Sequence, residues 1–255
     1  MRPWLERLGP ERSLEQLNHF SHELSVRTAS GHPVRFVPPG PSSPYYEVHL
    51  FETGQVQTRA DNLHDLFNAL AWLAFPRTKA LINALHAEEI PRERGRRGRR
   101  RDLLTLLDEG GAIVQCDDAE LIALVRGFRW KELFWEERAR MQCRMRFRVL
   151  GHATLEQALK PWPGIACKAI FVPFDADADA AAHAWLAALP ADATPEAAVP
   201  LPVFGYPDWL PDSRCAKFYD DERYFRQFRE RGCFPRGTPD MDAPGLPAPP
   251  RDDAH

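Results

Sequence analysis

Cys143-Arg144-Met145-Arg146-Phe147-Arg148-Val149 alternates without a break. Cys143, Met145, Phe147 and Val149 take one side and the three arginines the other. This is the period-two pattern of a strand with one face buried and one face wet. Gly151 closes it. Such a strand needs neighbours, and two stretches carry hairpin signals. Tyr46 to Phe51 alternates, Glu52-Thr53-Gly54 turns, and Val56 to Arg59 alternates again. Leu103 to Leu107 and Ala112 to Cys116 flank Asp108-Glu109-Gly110-Gly111, a second candidate turn. Lys168 to Phe174 reads as a further, buried strand.

Helical signals fill the gaps. Ser13 and Gln16 have capping-box spacing ahead of a helix over 13–24. Asn62 caps a helix from Leu63 to Ala74, and Pro76 starts another through about Ala87, since proline is tolerated in a first turn. Asp117 and Asp118 open a helix to Arg126. Others are predicted over Trp130–Met141, Thr154–Leu159, Asp177–Leu189 and Tyr219–Arg231. Prolines recur from Pro190 to Asp212 and predict no regular structure there. The expected fold is α+β: a single domain over 10–235 with antiparallel strands in hairpins and about six helices. A Pro/Ala/Asp tail over 236–255 offers little to bury and is expected to be disordered.

Composition narrows the function classes. The 255 residues allow one large domain or two small ones. The chain is 44% hydrophobic and 27% charged, which excludes a collagen, a rod and a mostly disordered chain. No run of about 18 apolar residues exists, so no membrane span is expected, and Met1 to Pro10 lacks a signal-peptide pattern. The net charge of −3 is uninformative about partners. Of the 33 basic residues only five are lysine, an Arg bias that discounts special meaning for arginine. Five scattered cysteines (Cys116, Cys143, Cys167, Cys215, Cys233) form no C-x-x-C pair, and a reducing cytoplasm is the expected compartment. There is no P-loop, dinucleotide fingerprint, nucleophile elbow or H-E-x-x-H.

The densest chemistry runs from Thr58 to Lys79. On a helical wheel Leu63, Leu66, Phe67, Leu70, Leu73 and Ala74 form an apolar stripe. His64, Asn68 and Trp72 fall at i, i+4 and i+8 on the other side, with Asp65 beside them. Short hydrogen-bonding groups and a large ring suit a half-buried polar pocket better than open solvent. Lys79, Asn83 and His86 continue the pattern on the second helix. Two helices joined at Pro76 can therefore line one cleft. There His64, Asp65, Asn68 and His86 are the candidate catalytic groups, and Arg59, Trp72, Lys79, Asn83 and Arg101 the candidate substrate-binding groups. A divalent metal ion is the cofactor that His64, Asp65, Asp108 and Glu109 can hold. Plainer roles stand beside these. Asp65 suits a first turn, Asp108 to Gly111 suit a turn, and the second helix can simply carry a solvated stripe. His152 and Asp220-Asp221 are weaker candidates. Arg92 to Arg101 holds seven arginines in ten residues, a footprint for nucleic acid or merely a solvated loop.

Thr58-Arg59, Asn62, His64 to Leu70, Trp72, Phe75-Pro76 and Lys79 together resemble a bacterial family of unknown function, number three thousand and twenty-five of such domains. Arg101-Asp102, Leu106, Asp108-Glu109-Gly110, Gly151-His152, Lys168-Ala169, Pro200 to Val203 with Gly205, and Phe218 to Asp221 extend the resemblance over roughly residues 10–230. It implies membership without an activity, substrate or cofactor. Three functions are carried forward. The first is a hydrolase or phosphodiesterase acting on a small anionic substrate in the His/Asp/Asn/Lys cleft. The second is a nucleic-acid-binding module using the Arg-rich loop and Arg144, Arg146 and Arg148. The third is a protein-interaction module using the polar helix face.

Overall fold

A computed structural model of the chain describes residues 2–9, 12–40, 45–93, 97–162 and 164–226. In chain order the helices are α1 (Arg2–Leu8), α2 (Leu14–Glu23), α3 (Tyr46–Thr53), α4 (Leu63–Ala74), α5 (Pro76–Glu89), α6 (Arg99–Gly110), α7 (Ala119–Arg126), α8 (Arg138–Arg144), α9 (His152–Gln157) and α10 (Ala178–Ala187). The strands are β1 (Arg35–Val37), β2 (Gln55–Gln57), β3 (Gly111–Gln115), β4 (Arg146–Val149), β5 (Ala166–Val172) and β6 (Val199–Pro202). The fold is α+β.

β3 is buried along its whole length at the centre of a four-stranded sheet of order β4-β3-β5-β6. It pairs antiparallel with β4 and parallel with β5, and β5 pairs antiparallel with β6. The period of two divides its side chains. Ala112 and Val114 face a core containing Leu121, Phe134 and Phe225. Ile113 faces α5, α6 and α10 through Ile82, Leu104 and Leu186. A third core joins α1, α2 and α4 to a small parallel pair, β1 and β2, around Leu17, Phe36, Val56 and Trp72.

Several expectations hold at the residue level. Ser13 and Gln16 form the capping box, and Asn62, Asp118 and Asp177 cap their helices. Arg146 and Arg148 point outward while Phe147 and Val149 pack inward. Both expected hairpins are corrected. Tyr46 to Thr53 is helix, and Gly54, read as turn, is its left-handed C-cap at φ +72°, packed so closely that a Cβ would sit 2.2 Å from the Pro33 carbonyl oxygen. Leu103 to Leu107 belongs to α6, because Leu103, Leu104 and Leu107 bury one helical face. That helix begins inside the arginine run, at Arg99.

The strand at 143–149 is shorter than its alternation. Met141 and Met145, four apart and both buried, carry α8 through Arg144. Leu63, counted in the apolar stripe, is exposed. A five-residue π-helical turn over Glu132–Glu136 interrupts the helix expected over Trp130–Met141. Regular structure does occur within Pro190–Asp212: β6 carries Pro200 and Pro202 because it is an edge strand, where a missing N–H leaves no gap in the ladder. No α-helix forms over Tyr219–Arg226, where Ala216–Asp220 is a 3-10 turn. Residues 227–231 and the tail over 236–255 lie outside the described residues. Among the described residues there are ten α-helices rather than about six, and none is long and apolar enough to cross a membrane.

Candidate metal centre

α3, α4, α5, the end of α6 and the start of α9 surround a cleft of about 390 Å³. Its wall includes Arg59, His64, Asp65, Asn68, Trp72, Lys79, Asn83, Asp108 and Glu109, nine of the residues expected from sequence, together with His152, the weaker candidate. Two expected residues stay off the wall. Arg101 pairs with Glu93. His86 is buried a turn beyond Asn83, and burial lowers its pKa to about 4.

The cleft has a centre at His64, Glu109 and His152, whose donor atoms all lie within 4.8 Å of one another. The two imidazoles meet edge to face, with Nε2 atoms 3.0 Å apart. His64 Nδ1 lies 2.9 Å from Glu156 Oε2. A carboxylate only accepts, so Nδ1 is the donor toward Glu156, and the two Nε2 atoms share their 3.0 Å contact as acceptor and donor. His152 stands on the donor side of that contact. Its Nδ1 is buried without a hydrogen-bond partner, 3.8 Å from Asp108 Oδ2, and Glu109 Oε2 stands 3.9 Å from its Nε2. Burial pushes the His152 pKa down to about 4, which keeps the ring neutral and able to ligate. Burial, then the Asp108 charge, raises that of Glu109.

Local structure explains how three distant segments meet. Asn62 accepts from the Asp65 N–H and starts α4, placing His64 in the first turn. Leu150 and Gly151 N–H groups both donate to Gly111 O, tying the start of α9 to the end of α6. Gly151 lies so close to Glu109–Gly111 that a Cβ there would fall 2.5 Å from three backbone atoms. Asp108 and Glu109 sit in the last turn of α6, the negative end of the helix dipole, where carboxylates are disfavoured. A local rule broken this way is expected where function needs the charge.

A family profile described as protein of unknown function (DUF3025) matches residues 34–229. The chain belongs to the DUF3025 family. No curated protein and no solved structure matches it. The matched span of this DUF3025 chain contains His64, Glu109, His152 and Glu156.

The remaining groups are already engaged. Asp65 accepts from Arg59 Nε at 2.8 Å, Nη2 at 3.0 Å and the Arg59 N–H at 2.7 Å, so it is turned toward Arg59. Burial disfavours its charge, but these bonds hold its pKa below the usual carboxylate value. Lys79, 4% exposed, donates to Asp108 and, at 2.9 Å, to Asn68 Oδ1, with its ammonium 5.7 Å from the Trp72 ring centroid. Burial opposes ionisation of Asp108, yet the Lys79 ammonium beside it outweighs burial and lowers its pKa below the usual carboxylate value. Sequence reasoning missed Glu47 and Glu156. Glu156 gives no local signal, since it stands 92 positions from His64.

Proposed function

We propose that this DUF3025 protein is a cytoplasmic hydrolase of the phosphodiesterase type that uses one divalent ion, held by His64, His152 and Glu109, on a small anionic ester. The observation that carries this reading is the pair of imidazole Nε2 atoms 3.0 Å apart, each ring with a carboxylate toward its Nδ1. Carboxylates behind ligating histidines fix ring orientation and raise donor strength. Glu109 is half exposed, with Oε2 3.9 Å from His152 Nε2. A divalent ion there would polarise a substrate oxygen and make a coordinated water acidic.

Charge counting supports the same reading. Asp65, Asp108, Glu109 and Glu156 outnumber Arg59 and Lys79, and both cations are already paired. An anionic substrate therefore depends on the ion, with Arg59 available only at the rim. The arginine run offers less. Arg92, Arg97, Arg99, Arg100 and Arg101 pair with Glu88, Asp102, Glu196, Glu89 and Glu93. Cys116, Cys143, Cys167 and Cys215 are free thiols, in keeping with a reducing cytoplasm.

Elemental analysis after incubation with Zn²⁺ or Mn²⁺ tests the centre. We expect about one ion per chain in the wild type, as one mononuclear site requires. His64→Ala and His152→Ala lose it, whereas Asp65→Asn keeps it. Metal-dependent hydrolysis of bis(p-nitrophenyl) phosphate completes the test. Equal metal content in wild type and both histidine variants would falsify the assignment.

A further inference from the structure

The metal-centre proposal leaves one acid in the cleft unused. Glu47 lies on α3, and its backbone and side chain are held by one residue. Asn83 Nδ2 donates to the Glu47 carbonyl oxygen at 2.9 Å and to Oε2 at 2.6 Å. Asn83 is 2% exposed, so this two-point grip holds the carboxyl in one orientation. No other hydrogen bond to the carboxyl forms among the described residues, and Glu47 lines the cleft. Tyr46, Leu50 and Ile82 supply apolar wall in the same cleft.

We propose that Glu47 is the proton donor of the cleft, and that the substrate is a phosphodiester whose leaving group is an aliphatic alcohol with an apolar body. This rests on the hydrolase reading above. As the P–O bond to the leaving group breaks, the Glu47 proton passes to the departing oxygen and water supplies the new P–OH. The products are the free alcohol and a phosphomonoester, and Glu47 recovers a proton from solvent. An aliphatic alkoxide is too basic to leave without a proton, so a fixed acid has value with that leaving group and little with an activated phenolate.

The charge environment fits a donor. Burial, followed by the negative charge of Asp108 on α6, raises the Glu47 pKa to about 7, against the opposing pull of the Asn83 bond, of Lys79 on α5 and of Arg101 on α6. Tyr46, its neighbour on α3, stays neutral because burial raises its pKa. His86 on α5 is neutral as well. No hydrogen bond joins Glu47 to His64 or His152, which pair with Glu156 and with each other. The acid form is the active one, so the rate falls as pH rises through about 7.

The test compares metal-loaded wild type with Glu47→Gln on two probes. Dibenzyl phosphate must expel an alkoxide, and bis(p-nitrophenyl) phosphate expels a stable phenolate. Glu47→Gln is expected to bind the same amount of Zn²⁺ and to cleave dibenzyl phosphate about 100-fold more slowly or worse. It should cleave bis(p-nitrophenyl) phosphate within a few-fold of wild type. Infrared difference spectra of the wild type should show a carboxylic acid band titrating near neutrality that the variant lacks. A missing band overturns the proposal, as does equal slowing of both probes, or of neither. If the wild type binds no ion and cleaves neither probe, the hydrolase reading falls and takes the donor role with it, whatever the band shows. Bound ion with normal Glu47→Gln turnover of dibenzyl phosphate leaves that reading standing and removes Glu47 alone.

Discussion

Gly151 shows how much of the centre depends on one absent methyl group. The start of α9 rests directly on the backbone of Glu109, Gly110 and Gly111, and that contact brings His152 beside Glu109. Adding a Cβ forces backbone against backbone, with no flexible side chain to yield. Gly151→Ala is therefore expected to cost about 1–3 kcal/mol as an overpacking change. It should also weaken metal binding, by moving His152 away from His64. Urea unfolding with a zinc titration checks both effects, and normal affinity in a destabilised protein would show that the contact sets stability alone. At this scale the sequence was partly readable. His64 and Asn68 stood out because their helix face carries short polar groups. Asp65 stood out equally and is occupied by Arg59. Its neighbour in sequence does not reveal which partner a carboxylate will find.

Elements were readable where capping chemistry marked their ends. Asp118 accepts from the N–H groups of Glu120 and Leu121 and pairs with Arg140 at 2.9 Å. Burial opposes its charge, but these bonds hold its pKa below the ordinary value. A depressed folded-state pKa contributes stability above the unfolded carboxylate value, and that contribution is lost as pH falls through the folded one. Asp118→Ala should thus cost about 1–2 kcal/mol at neutral pH, as lost caps do. The difference from wild type should shrink as pH falls through the folded-state value, and denaturant melts at pH 7 and at successively lower pH check this. A difference that persists unchanged in acid would mean that packing, not charge, is lost. Elements were misread where a short window fits two periods. Tyr46 to Phe51 alternates over only six residues, and Tyr46 and Leu50 also share a helical face. Leu103, Leu104 and Leu107 fit the helical period, but the adjoining glycines resembled a hairpin turn.

At the scale of the whole molecule, the centre joins parts of the fold that belong to different cores. α4 packs in the core built by α1, α2, β1 and β2, while α6 packs against the sheet. α9, like α5, touches both α4 and α6. An ion held by His64, Glu109 and His152 therefore ties α4 to α6 through α9. Binding to the folded state alone stabilises it by about 2.7 kcal/mol at a hundredfold excess over Kd. For a chain of this size that raises Tm by about 5–10 °C. Calorimetry with and without Zn²⁺ should show the rise in wild type and none in His64→Ala. An equal rise in both would place the ion elsewhere.

By itself the sequence determined the α+β class, most helix starts, the outward arginines of β4 and most of the cleft wall. Each of these depends on contacts within a few residues: caps, i to i+4 spacing, alternation. Only the tertiary structure decided which wall residues are engaged and which remain for chemistry. It turned Lys79 to Asp108 and Asp65 to Arg59, and it raised His152 from a weak candidate to a partner of His64, 88 positions away. It also brought Glu47 to Asn83 and Glu156 to His64, pairings that leave no mark in the chain. The physical reason is range. Burial, charge pairing and ligand convergence are sums over neighbours in space, and local spacing carries no record of which distant segment supplies them.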